Sequence, residues 1–223
     1  KNVIMDVQSE NMMSYTEFFF SQFQLIRKRW WVLQAMLLVF ILLIMPFMGD
    51  SIYMMRTLGI ASVFFVVMII PEVWRNKESN SRQIEVTCLF SLRQIYSARI
   101  FLIGMVDAFM ITIFLTVVCI SMKMQFTDLL VQFLFPMIIT AGICFAMLNC
   151  SLLNEAISIL GCFLWGIIWW GIVMNNAIYE RIAMPIWIIL FVLAVCFLIG
   201  AVYKTIHDCN RFLEVNLYGI TNG

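Results

Sequence analysis

The sequence predicts an all-α integral membrane protein with six transmembrane helices, both termini cytoplasmic, and an N-terminal amphipathic surface helix. Three observations carry that expectation. Of 223 residues, 63% are hydrophobic and 12% are charged, whereas a soluble domain is roughly half apolar and a quarter charged. The apolar residues form continuous runs instead of alternating with period two, which argues for helices over a transmembrane barrel. Each run is long enough to cross a hydrocarbon core about 30 Å thick, which takes roughly 20 helical residues.

Six spans are expected at Trp30–Met48, Ile52–Ile70, Ile100–Ile120, Leu129–Leu148, Ala156–Met174 and Pro185–Tyr203. Only Gly49-Asp50-Ser51 separates the first two. Residues 1–29 form a segment before the membrane, 30–203 the membrane domain, and 204–223 a C-terminal tail. The first apolar run ends without a small-residue cleavage motif, so no signal peptide is expected to be removed there.

Basic residues set the orientation. With the N-terminus inside, the inner segments hold Lys1, Arg27, Lys28, Arg29, Arg75, Lys77, Arg82, Arg93, Arg99, Lys204 and Arg211. The outer loops and margins hold Arg56, Lys123 and Arg181. That asymmetry follows the positive-inside rule. The outer loops are short, with no room for an external domain. The strong bias, small size and short loops suit a bacterial plasma membrane. A net charge of +1 leaves no footprint for nucleic acid.

Ahead of the first span, Phe19, Phe23, Ile26 and Trp30 recur at helical spacing, with Glu17, Ser21, Gln24 and Lys28 opposite. This predicts a helix lying on the inner membrane surface. Arg27-Lys28-Arg29 and Trp30-Trp31 then act either as a topology anchor with an aromatic belt, or as part of a contact with a soluble partner. Lipid is an expected neighbour in both cases.

Between spans two and three, RNKESNSRQIEVTCLFSLRQIYSAR runs from Arg75 to Arg99. Pro71 is expected to end span two, with Trp74 at the interface. Lys77–Ser81 is polar, and Ile84, Cys88, Leu92 and Ile95 then return at helical spacing. A surface helix is expected over Arg82–Ala98. The loop, residues 72–98, is far longer than the roughly 2–8 residues that join antiparallel helices. Its excess length suggests a docking element.

The segment resembles the first cytoplasmic loop of ABC-2 type transporter permeases. The matching residues are Glu78, Glu85, Ser91, Ile95 and Arg99, with Leu89-Phe90-Ser91 where the family often has Pro-Leu-Ser or Pro-Val-Ser. The resemblance implies a coupling helix seated in a separate ATPase, and makes Glu78, Arg82, Glu85, Ser91, Arg93 and Gln94 candidate coupling residues. The implied partners are an ABC ATPase dimer and a second permease, the same chain or a relative. The implied activity is ATP-driven export of an amphiphilic cargo such as a peptide, lipid or drug. The sequence carries no G-x-x-x-x-G-K-[ST] loop, so ATP and Mg are expected on the partner and no cofactor here. The family's re-entrant outer helices between spans five and six have only Asn175–Met184 to occupy. The other class kept open is a membrane scaffold or sensor that docks a soluble regulator on this loop.

Within the spans, Asp107 stands out. A carboxylate at a helix centre costs about 2.5–3.5 kcal/mol on insertion scales, so it should face water or the protein interior. It is a candidate for the translocation path or for an interhelix hydrogen bond. Asn149, Asn154 and Glu155 cluster between spans four and five, where they either line an inner mouth or cap the turn. Gly142, Ala146, Gly161, Gly166 and Gly171 permit close helix approach. The seven cysteines read as packing residues, with no C-x-x-C pair. His207 is the single histidine, so no catalytic constellation or metal site is expected.

Overall fold

The computed structural model describes residues 15–47, 51–78, 92–122, 125–150, 153–175 and 184–220. All their regular structure is helical. Helix α1 spans Tyr15–Leu25, and α2 spans Arg29–Ile44. A short 3₁₀ turn over Met45–Phe47 follows α2. Pro46 has no N–H with which to continue the ladder of α2, although Met45 before it keeps α-geometry.

Helix α3 covers Ser51–Val67 and α4 covers Ile70–Glu78. The sequence places the end of span two at Pro71. The chain instead yields at Met68-Ile69 and becomes helical again, with Pro71 in the first turn of α4. There its missing N–H leaves no intrahelical bond unmade. The backbone bonds Ile69 N–H to Val66 O and Glu72 N–H to Ile69 O, 3.1 and 3.0 Å, carry the chain across the break.

Helix α5 runs unbroken over Leu92–Met122, 31 residues, or about 46 Å. Part of the expected surface helix over Arg82–Ala98 is thus the first turns of α5; residues 82–91 lie outside the described residues. Span four begins as α6, Phe126–Leu129, widens into a π-helical turn over Leu130–Leu134, and continues as α7, Phe135–Leu148. Pro136 accounts for the wide turn, because its ring would press on the Gln132 carbonyl in a regular α-helix. Helix α8 covers Glu155–Met174 and α9 covers Met184–Ile220. The tail expected from residue 204 therefore begins as a continuation of span six.

Among the described residues six stretches are long and apolar enough to cross a membrane: Arg29–Phe47, Thr57–Trp74, Ser97–Ser121, Phe126–Leu148, Glu155–Met174 and Pro185–His207. Spans two and four are 67% and 50% buried, the other four between 17% and 28%. Spans two and four therefore form the centre, and the others surround them. One core joins spans one to four through Leu38, Leu58, Phe65, Phe114 and Phe133. A second, at one end of the bundle, joins Ile26, Trp31, Trp74, Ile103, Leu148 and Cys162. A third packs Phe135, Trp169 and Trp187 from spans four, five and six.

The outward faces stay apolar. Met36, Phe40 and Leu43 on α2, Phe109 and Ile113 on α5, Leu160 and Ile167 on α8, and Ile189 and Leu193 on α9 are all exposed. Apolar residues on every outer face have a physical home only in a bilayer. The chain is a multi-pass membrane protein.

Candidate functional site

Two places in the bundle concentrate polar chemistry. The first is the end where α1, the start of α2, α4 and the start of α5 meet. The Arg27 N–H donates to Glu72 Oε1 at 3.3 Å, and Glu72 is 1% exposed. Arg27 lies just ahead of α2, where backbone N–H groups have no intrahelical acceptor and the helix dipole favours a negative charge. The Glu72 carboxylate answers both. The kink before α4 turns Ile70, Val73 and Trp74 inward with it. Trp74 is buried in the core and is not the interfacial residue expected from its place beside the polar loop.

Close by, Arg99 Nε donates to Gln22 Oε1 at 2.8 Å, which ties α5 to α1. Helix α1 is seated by Phe23, Ile26 and Gln22, and Phe23 stacks on Trp31 at 5.4 Å. Phe19 stays partly exposed, edge-on to Phe101 at 6.4 Å. The predicted apolar face of α1 is therefore the packed face at its C-terminal end.

Of the candidate coupling residues, Gln94 is exposed on the first turns of α5, and its carbonyl accepts the Ser97 hydroxyl at 3.0 Å. Glu78 closes α4 and Arg93 lies in the first turn of α5, but their side chains are outside the described residues. Arg82, Glu85 and Ser91 lie outside them altogether. Within the Ser91–Ile95–Arg99 spacing, Ile95 is buried and Arg99 reaches Gln22, so these two positions serve attachment to the bundle.

The second place is a groove of about 770 Å³ bounded by span two, α5, α7 and α9. Asp107 is on its wall. The Gln34 side chain, from α2, is hydrogen-bonded to the Asp107 carboxyl group. Gln34 is fully buried, and its Nε2 also donates to Phe65 O at 3.2 Å. Asp107 Oδ1 and Gln34 Oε1 are shut off from solvent and have no hydrogen-bond partner. A buried unsatisfied acceptor costs about 1–3 kcal/mol. The other polar groups on the wall are quiet: Thr112 and Thr116 each return their hydroxyl proton to the carbonyl one turn back, at 2.7 Å.

Asn149, Asn154 and Glu155 do not join Asp107; none of them lines the groove. Asn149 ends α7 and its Nδ2 donates to Ala201 O of α9 at 3.3 Å. Thr205 adds a bond from α9 to Phe145 O at 3.4 Å. Asn154 takes the N-cap position of α8 with extended geometry, but its side chain makes no capping bond. Its carbonyl accepts Ile157 and Ser158 N–H instead. Glu155 sits in the first turn of α8, where a negative charge is favourable.

Sequence reasoning missed Glu72 and Gln34. The signal for Gln34 is a lone amide inside WWVLQAMLLVF, and for Glu72 a carboxylate directly after a proline that the helix survives. Gln132 is a third such residue, 2% exposed inside the π-turn. Among the described residues no group of three His, Cys, Asp or Glu side chains stands together as a metal site.

No family model, curated protein or solved structure matches this chain. Fold and surface together define its class, a six-helix multi-pass membrane protein.

Proposed function

We propose that the chain is the membrane subunit of an ATP-driven exporter of the ABC-2 type. It pairs with a second permease and takes its energy from an ABC ATPase dimer seated on the loop between spans two and three. Its termini and that loop face the cytoplasm of a bacterial cell, and its cargo is amphiphilic. ATP and Mg belong to the partner, and this chain performs no covalent chemistry.

One observation carries the reading. The loop is flanked by two helical stems that outrun the apolar spans. Span two's apolar stretch ends at Trp74 while α4 continues to Glu78, and span three's begins at Ser97 while α5 begins at Leu92. One stem is bonded through Glu72 to Arg27, in the turn between α1 and α2, and the other through Arg99 to Gln22 of α1. A loop that must carry force needs such stems, because a flexible connector would absorb the displacement.

The test is gentle purification of the native complex and identification of its soluble chain. The expected result is a co-purifying P-loop ATPase whose activity falls when Glu78 and Glu85 are both changed to Lys. An ATPase-free complex, or a double reversal that leaves ATPase activity and association intact, refutes the proposal and leaves a scaffold or sensor as the surviving class.

A further inference from the structure

We infer that the groove beside Asp107 is a binding site for a single-chain cationic amphiphile, whose ammonium or guanidinium group meets the Asp107 carboxylate and whose tail lies along α5. Calling that ligand the cargo rests on the exporter reading; the binding site itself does not.

The groove's size falls within the roughly 300–1,000 Å³ range of small-molecule pockets. Its wall follows α5 from Ile100 to Ile120, a rise of about 30 Å, which is the thickness of the hydrocarbon core. It opens along a ladder of small residues, Gly104, Ala108, Thr112 and Thr116, all exposed. A Cβ built on Gly104 would meet nothing within 4 Å. The shape is that of an extended chain and not of a compact solute.

The charge follows from what lines it. Among the described residues that line it, Asp107 is the one carboxylate and none is Lys, Arg or His. The threonine hydroxyls on the same wall are already engaged, which leaves the Asp107 carboxylate as the polar acceptor among its described residues. A cationic donor forms the strongest bond such an acceptor can make.

Depth discriminates between sources. Asp107 stands seven residues beyond Ile100, about 10 Å inside the groove's end. A phospholipid ammonium sits at headgroup level and carries a phosphate with it. No Lys or Arg stands among the groove's described lining residues to receive that phosphate. An amine on a plain alkyl chain has no such burden. With its charge at Asp107, about 20 Å of groove remains toward Ile120 for the tail.

The experiment places the full chain in phosphatidylcholine nanodiscs and measures equilibrium binding of radiolabelled tetradecylammonium. One saturable site per chain is expected. Asp107→Asn should weaken binding at least tenfold. Ala108→Phe should do the same by filling the rim with Asp107 intact, and it decides the matter if the Asp107 variant does not fold. Tetradecyl sulfate and tetradecanol should compete at least tenfold more weakly than unlabelled amine. Equal competition by either one, or undiminished binding in a folded Asp107→Asn chain, overturns the cationic site. So does spontaneous disulfide pairing of Thr112→Cys chains that shuts out the amine, since a second copy then fills the groove. No ATPase is present, so loss of binding with ATPase association retained sinks this site and spares the exporter reading. The reverse outcome spares the site.

Discussion

Gly59→Ala puts one methyl group where the bundle has no room. A Cβ on Gly59 runs into Trp169 Nε1, and lies 2.9 Å from Trp169 Cδ1 and 3.1 Å from the Gln132 carbonyl oxygen. Neither obstacle can withdraw. Trp169 is 2% exposed and is held by Phe135, Trp165 and Trp187, with ring centroids 5.3, 6.2 and 6.1 Å away. The Gln132 carbonyl belongs to the backbone of the π-turn. Overpacking a rigid site costs roughly 1–3 kcal/mol, and this one should reach about 3. Replacing a helical glycine by alanine returns about 1 kcal/mol of propensity. The expected net loss is about 2 kcal/mol. It can be read from unfolding free energies in mixed detergent and sodium dodecyl sulfate micelles. Gly171→Ala is the control, because its Cβ would meet nothing within 4 Å and only the propensity gain of about 1 kcal/mol remains. Adding Trp169→Leu should relieve the clash, giving a favourable coupling above about 0.5 kcal/mol in a double-mutant cycle. A Gly59→Ala protein within about 0.5 kcal/mol of the parent, or strict additivity with Trp169→Leu, would refute the reasoning.

Gly142→Ala should be milder. The three atoms nearest its Cβ all belong to the ring of Phe197, which is 44% exposed and can swing outward. A loss under about 1 kcal/mol is expected in the same unfolding assay, at the low end of the overpacking range. Glu72→Ala should cost about 1.5–3 kcal/mol, the range for a hydrogen bond to a charged group. It should also free α1, seen as faster thiol labelling of Ile26→Cys, which is buried in the parent. Unchanged labelling would mean that Phe23 and Ile26 hold α1 without the carboxylate.

The spans were legible because continuous apolar length is a direct physical requirement of the bilayer. So was Asp107, because a carboxylate in such a run has few tolerable surroundings. Its partner was not, since Gln34 is more than 70 positions away and amides carry no charge that would announce a pairing. Trp74 was misjudged for a related reason. Proximity to a polar loop suggests an interface, and only the kink at Met68-Ile69 reveals that α4 turns its apolar side back into the bundle. Asn149, Asn154 and Glu155 are neighbours in sequence. Yet Asn149 is drawn to α9 while the other two remain with α8, so a cluster in the chain is not a cluster in space. In a protein whose outside is as apolar as its inside, hydrophobicity cannot separate Leu38, which is buried, from Phe40, which is exposed. That distinction comes from packing alone.

The burial pattern also bears on how a push on the loop would travel. Span two is the most enclosed helix and meets the loop through α4, but its kink at Met68-Ile69 lies between α4 and the core contacts of α3. Span three has no such break. It is 28% buried, it enters the loop as one continuous helix, and its outer side is the ladder along the groove. A displacement at Leu92 would therefore reach Asp107 along α5 as a rigid movement, whereas the same displacement at Glu78 would be taken up at Met68-Ile69. Opposing it are the Arg99–Gln22 bond and the buried side chains Ile95, Ile103, Ile111 and Phe114. Those contacts join α5 to α1, α2 and α9 and to the cores of spans two and four, so a movement of span three would be shared with the helices packed against it.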